Sequence, residues 1–230
     1  MRIRQLILDW SGTLVDDLPP VFATTNHVFA TFGLAALTLA EFRQEFCLPV
    51  QKFYAARLPG IPQVELERVF LKQYHTVLGE ITVLPHTSAF LEYCRLAGLG
   101  VYIAQVKHLS TVKPYCRLAG LGVYIASSVD PVTYERQMHR FGIDRYITRP
   151  YVGIVDKTQA IHEILNENQL RREETVFVGD MEHDIAAGKA GGVWTCAVLT
   201  GYNHFDTLRA AQPDWICAHL WELQERLAHG

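Results

Sequence analysis

The apolar positions fall into two periods along the chain. Ile3 to Leu8 reads as a short buried strand whose last residues, Leu-Ile-Leu, run into a single carboxylate, Asp9. From about Val21 to Val83 the spacing becomes helical: Phe22, Val28, Phe29 and Phe32 recur near one helical face, then Phe42 and Phe46, then Leu66, Val69 and Phe70. Leu48-Pro49, Pro59-Gly60 and Ile61-Pro62 break this stretch into separate helices. Leu84-Pro85 marks the return, and Thr87 or Ser88 is placed to cap a helix leading to Arg95. Later the two periods alternate. Helices are predicted over Pro131–Phe141, Lys157–Asn166, Asp184–Ala190 and Leu220–Ala228, and strands at Tyr146–Thr148, Thr175–Val178, Trp194–Leu199 and Trp215–Cys217. Such alternation implies right-handed crossovers, hence an α/β fold: a Rossmann-like parallel sheet with helices on both faces. Residues 1–16 and 84–230 form that core, and 17–83 a small helical unit inserted after the first strand.

One stretch is written twice. Tyr93 to Ala104, YCRLAGLGVYIA, recurs unchanged at Tyr115 to Ala126. Each copy (93–104 and 115–126) carries a helix end, a glycine stop and a strand. Two identical units do not make a solenoid, which needs three or more drifted repeats. The pattern reads as a recent or engineered tandem duplication. Removing Tyr93 to Pro114 would leave a seamless helix–strand unit.

Composition narrows the function classes. Of 230 residues, 49% are hydrophobic and 20% charged, ordinary globular values with ample material for a core. A formal charge of −3 without a Lys/Arg-rich run argues against nucleic acid or an anionic membrane as partner. No apolar run reaches spanning length, and the first strand begins within a few residues of Met1, leaving no room for a signal peptide. The five cysteines are scattered and form no C-x-x-C pair, so reduced thiols in a cytoplasmic protein are expected rather than disulfides or zinc. Ten histidines without ligand spacing, among them His86, His183 and His204, read as surface residues.

In an open parallel sheet, reactive groups belong at the carboxyl ends of the strands. Four positions meet that rule: Asp9, Ser127 after Val-Tyr-Ile-Ala, Asp180 after Thr-Val-Phe-Val-Gly, and Lys157 opening a helix. The duplication offers Ser110 as a competitor to Ser127, but only Ser127 directly follows its strand. Asp180 and Asp184 lie four apart at a strand-to-helix transition, so a helix begun there turns both carboxylates to one side. Acidic oxygens with room for water suit Mg²⁺. Asp9 can attack phosphorus to give an aspartyl phosphate, while Mg²⁺ and Lys157 neutralise the phosphoryl oxygens and Ser127 donates a hydrogen bond.

The set Asp9-x-Ser-Gly-Thr, a serine after the second strand, Lys157 and Gly179-Asp180-x-x-x-Asp184 resembles the haloacid dehalogenase superfamily, in order over the whole chain. The insert at 17–83 resembles the α-helical cap of its phosphoglycolate phosphatase-like members. The resemblance implies a Mg²⁺-dependent phosphatase of a small phosphorylated metabolite. Asp9 would be nucleophile and metal ligand, with the Ser11 backbone carbonyl, Asp180 and Asp184 completing the metal site. Ser127 and Lys157 would hold the phosphoryl group, helped by the Gly12 and Thr13 backbone. Such a protein would be a monomer or homodimer.

One position departs from the pattern. The superfamily's phosphatases usually carry a second Asp two residues after the nucleophile, as general acid/base; here that residue is Ser11. A hydroxyl cannot do a carboxyl's proton transfers at neutral pH, and losing a general acid/base costs on the order of 10²–10⁴ in rate. Two alternatives follow. Asp9-Trp10-Ser-Gly-Thr is similar to the Asp-Trp-Ala-Gly-Thr of phosphonoacetaldehyde hydrolases, whose C–P cleavage needs a Schiff-base lysine; Lys52 is the nearest candidate. The other is a non-catalytic, phosphate-binding scaffold descendant.

Overall fold

In a computed structural model of the protein, residues 3–98, 122–126, 131–147, 149–154 and 156–229 are described. Strand β1 (Gln5–Leu8) is buried along its whole length. It is followed by β2 (Val15–Asp16), then helices α1 (Leu18–Thr31), α2 (Leu39–Glu45), α3 (Val50–Arg57) and α4 (Gln63–Val77), and β3 (Thr82–Val83). The remainder alternates: α5 (Thr87–Leu96), β4 (Gly122–Ala126), α6 (Pro131–Phe141), β5 (Arg149–Tyr151), α7 (Lys157–Glu167), β6 (Thr175–Gly179), α8 (Glu182–Gly191), β7 (Trp194–Val198), α9 (Phe205–Ala210), β8 (Trp215–Cys217) and α10 (Leu220–His229).

Strands β1, β6, β7 and β8 form a parallel ladder in that order, with Leu6 opposite Val176 and Leu8 opposite Val178. The parallel pair β4–β5 lies against the free side of β1. Side chains alternate across this sheet, so each strand feeds two cores. Leu6, Leu8, Val176 and Val178 pack with Phe90 and Leu91 of α5 and Leu223 of α10 on one face. Ile7 and Phe177 meet Ile161, Ile164 and Leu165 of α7 and Ala187 of α8 on the other. The expected α/β sheet covered on both faces is therefore present.

Helices α1–α4 form a separate layer entered and left through the antiparallel pair β2–β3, where Val15 faces Val83. The prolines at 19 and 20 start α1, where a missing N–H costs nothing. Thr38 and Glu41 cap α2 reciprocally. The layer has its own core of Phe29, Phe42, Phe46, Phe53 and Leu66, joined from the sheet side by Met181 and Tyr202. Phe29, as its spacing predicts, and Phe53 are thus structural.

Three local expectations are corrected. Asp144–Tyr146 is a 3₁₀ turn and the strand follows at Arg149–Tyr151. Tyr146 is buried under α5 and α6, so its apolar signal reflected packing rather than pleat. The short strand β3 immediately precedes the return at Leu84-Pro85, where the sequence pattern alone predicts no strand. Neither Thr87 nor Ser88 caps α5: the N-cap is His86, in the left-handed region, and the Thr87 hydroxyl donates to the Leu14 carbonyl at 2.9 Å. Of the duplication, the first copy supplies the end of α5 and the second supplies β4. Ser110 and Ser127 lie outside the described residues.

Candidate active site

The carboxyl ends of β1 and β6 and the amino ends of α7 and α8 converge on one point. Asp9 follows β1 directly, and its N–H continues the ladder by donating to the Val178 carbonyl at 2.9 Å. The chain then turns tightly: Leu14 and Val15 N–H groups both donate to the Trp10 carbonyl. Gly12 holds φ +73°, and a Cβ there would collide with the Asp180 carboxylate and the Gly201 backbone. Trp10 points away, its Nε1 donating to Gln137 Oε1 at 2.6 Å and its ring edge-on to Tyr134. It belongs to the core, which accounts for a tryptophan at this position without chemistry.

Asp180 is fully buried after β6, accepting from Thr13 Oγ1 at 3.1 Å and from the Tyr202 N–H at 2.7 Å. Asp184, in the first turn of α8, accepts from the Met181 N–H at 3.1 Å. Lys157 opens α7 behind the N-cap Asp156, and its Nζ bridges Asp9 Oδ1 at 2.7 Å and Asp184 Oδ1 at 2.6 Å. Asp9, Asp180, Asp184 and Lys157 are thus brought together.

The electrostatics are those of an over-charged pocket. Burial pushes the Asp9 carboxyl up to about 7, against the pull of the Lys157 ammonium. Burial, then the neighbouring Asp9 and Asp184 charges, raises Asp180 well above the usual carboxylate range. Burial also opposes the charged form of Asp184, but His183 and Lys157 outweigh it and hold that carboxyl low. For Lys157 the two carboxylates override desolvation and keep the ammonium charged. Oxygens of Asp9, Asp180 and Asp184 lie within 4.8 Å of one another. Three carboxylates against one ammonium leave an excess of two negative charges, the complement of one divalent cation with oxygen preference. The donor set fits such an ion.

Ser11 lines the cavity above Asp9, and its hydroxyl is hydrogen-bonded to Asp17. Asp17 is buried, also accepts from Tyr202 Oη at 2.9 Å, and is pushed by that burial up to about 6. Neither Asp17 nor Gly201-Tyr202-Asn203 stands out in the sequence, since neither matches a short motif. That loop touches everything: Tyr202 binds Asp180 and Asp17, the Gly201 carbonyl accepts from Arg43 Nε at 2.9 Å, and Asn203 donates to the Phe46 carbonyl at 3.2 Å. Thr200 Oγ1 donates to the Gly12 carbonyl at 2.6 Å. A glycine precedes Tyr202 because a Cβ at 201 would overlap the Asp180 side chain.

Over these groups lies a cavity of about 370 Å³, within the ~300–1,000 Å³ range of small-molecule sites. Its floor is Asp9, Ser11 and Lys157; α1, α3, α4 and the α2–α3 connection roof it. His183 lines it too, contrary to the expectation of a surface residue, with Nε2 3.3 Å from Asp184 Oδ1. His86 and His204 are not among its lining residues. Nor is Lys52, which is exposed on α3 between two residues that do line it, Val50 and Tyr54. The helical face that carries Lys52 is turned away from Asp9.

A family of HAD-hydrolase-like proteins matches residues 157–223, the span holding Lys157, Asp180 and Asp184. A 5'-nucleotidase of Pseudomonas aeruginosa is 32% identical, covering 99% of this chain and 96% of its own. A phosphoglycolate phosphatase of Synechococcus elongatus is 26% identical over 93% of this chain and 92% of its own. Among solved structures, a haloacid dehalogenase-like hydrolase from Streptococcus pneumoniae superposes with a TM-score of 0.76 at 20% identity, covering 97% of this chain and 98% of that one. Identity of this level over the full length, joined to the same fold, shows that the chain belongs to the haloacid dehalogenase-like hydrolases.

Proposed function

We propose that the protein is a phosphoric monoester hydrolase that works on a small phosphorylated metabolite through an aspartyl phosphate on Asp9, with Mg²⁺ as cofactor. The observation that carries this reading is the buried Lys157–Asp9–Asp184 bridge beside Asp180, beneath a closed-over cavity. The relatives named as phosphatases and a nucleotidase support the reaction class.

The Asp9 carboxylate attacks phosphorus, the bond from phosphorus to the ester oxygen breaks, and that oxygen takes a proton from water to leave as the alcohol, the proton being replaced when water is consumed in the next step. Water then attacks the phosphorus of the aspartyl phosphate, releasing inorganic phosphate and regenerating Asp9. Lys157 holds Asp9 in place and keeps positive charge beside the transferring group. Asp9, Asp180, Asp184 and the Ser11 carbonyl would hold Mg²⁺, which supplies further neutralisation of phosphoryl charge when bound. The Gly12 N–H donates to the Val15 carbonyl at 2.8 Å and the Thr13 N–H to the Trp10 carbonyl at 3.4 Å, so both are engaged within the turn. Ser127, next in sequence after β4, would add a hydroxyl to the phosphoryl group. Residues 17–83 serve as the cap that roofs the site and selects the substrate.

Asp9→Asn keeps the size of the side chain and removes the nucleophile. With purified folded protein and Mg²⁺, release of inorganic phosphate should fall to background; retained turnover would rule out the aspartyl phosphate.

A further inference from the structure

The wall that the helical layer presents to the site carries no positive charge. Among the described residues lining the cavity, Lys157 is the lone Lys or Arg, and both its contacts are to Asp9 and Asp184. The His183 ring is engaged with Asp184, its Nε2 3.3 Å from Oδ1. The nearby arginines are engaged elsewhere: Arg43 with the Gly201 carbonyl and Arg57 with Glu45. What the layer does present is Phe46, Leu48, Val50, Tyr54, Leu66 and Phe70, with Glu67 at the rim accepting from Gln63 Nε2 at 2.8 Å. A carboxylate beyond the phosphate would enter this wall without a charged partner and against Glu67. A flat apolar group would bury its surface against aromatic and aliphatic side chains.

We infer that the substrate, taken as a phosphate monoester on the reading above, has an uncharged leaving group bearing an aromatic or apolar body rather than an acidic one. Phosphorylated hydroxy acids are thereby disfavoured, although several relatives are named for one. The wall serves as the specificity determinant, and the charge of Glu67 sets its sign.

The test compares benzyl phosphate, a nucleoside 5'-monophosphate and 2-phosphoglycolate. All three have primary-alcohol leaving groups, so the body attached to the oxygen is the main variable. With wild-type protein and Mg²⁺, kcat/KM for at least one uncharged-body ester should exceed that for 2-phosphoglycolate by 100-fold or more. The benzyl and nucleoside arms then separate a purely apolar body from one with a ribose. Glu67→Lys, a change at an exposed rim position, should narrow the ratio by 10-fold or more, acting mainly through KM. Calorimetry of the same esters on the Asp9→Asn protein reads the preference without turnover. Equal or tighter binding of 2-phosphoglycolate there, or its equal or better turnover by the wild type, overturns the inference. Preferential binding of an uncharged-body ester with no turnover of any ester by the wild type sustains this inference and overturns the phosphatase reading instead.

Discussion

Two side chains beside Asp9 decide how well the site can work. Ser11 stands where a carboxyl would protonate the leaving alcohol, and its hydroxyl is instead tied to Asp17. On the proposed phosphatase reading, chemistry that depends on leaving-group protonation is expected to be slow relative to esters that leave unaided. Ser11→Asp should raise kcat on an alkyl phosphate by about 10²-fold while changing an aryl phosphate much less, so that the dependence of kcat on leaving-group pKa flattens. An unchanged dependence would show that proton transfer at position 11 does not limit the rate. Asp17 bears on stability. Its folded-state pKa of about 6 lies above the unfolded 3.8, because burial outweighs the hydrogen bonds from Ser11 and Tyr202. The folded state then holds this proton more tightly, so the group's contribution is most favourable below pH 4 and declines as pH rises to about 6. Asp17→Asn abolishes that decline while keeping an acceptor for Tyr202. The stability gained by the variant over wild type should be larger at pH 7.5 than at pH 4.5 by about 2 kcal/mol in urea unfolding. A gain that does not change with pH would mean that Asp17 is no more protonated in the folded protein than in the unfolded one.

At the scale of elements, what was legible in the sequence is what strands and helices impose locally. The apolar run into Asp9, the strand into Asp180 and the helix opened by Lys157 each placed a reactive group at an element's end, and the parallel sheet brought those ends together. The loop at 199–204 was not legible, because its role lies in long-range contacts: Tyr202 to Asp17 and Asp180, and Gly201 to Arg43 of α2. Likewise Tyr54 is spaced like a core residue and is one, yet it also lines the cavity. No periodicity distinguishes those two duties. The Arg43–Gly201 hydrogen bond and the Asn203–Phe46 contact tie the helical layer to the loop that holds Asp180. Arg43→Ala removes a charged donor to a backbone carbonyl, a bond worth roughly 1.5–3 kcal/mol. The variant should unfold about 1–2 kcal/mol more easily and show a raised KM with kcat less affected, since the roof of the cavity loses an anchor and the Lys157 bridge does not. Steady-state kinetics beside denaturant melts separate this from a purely structural loss, which would leave KM unmoved.

For the whole molecule, the duplication poses the remaining question of how one chain with two copies of a helix–strand segment makes one sheet. The described residues assign the parts unequally: the first copy finishes α5 through Tyr93–Leu96, and the second supplies β4 beside β1. Ala97 and Gly98 already end the helix, Gly98 with φ +67°, as a normal helix stop before a strand. Because the copies are identical, deleting Tyr93–Pro114 leaves the sequence Tyr-Cys-Arg-Leu-Ala-Gly-Leu-Gly-Val-Tyr-Ile-Ala intact, with the helix stop running into β4. A connection of a few residues between helix and strand is the ordinary length in α/β units. Shortening the link between Leu96 and Gly122 also lowers its closure entropy, by roughly 2 kcal/mol at ~0.6 kcal/mol per halving. The other writing of Val-Tyr-Ile-Ala is removed as well, and with it the one identical sequence that matches β4. The shortened protein should therefore melt at the same temperature or higher and retain phosphatase activity, with the serine after β4 left in place. A lower melting temperature together with lost activity would mean that the deleted segment, Tyr93–Pro114, is part of the working structure and not a passenger.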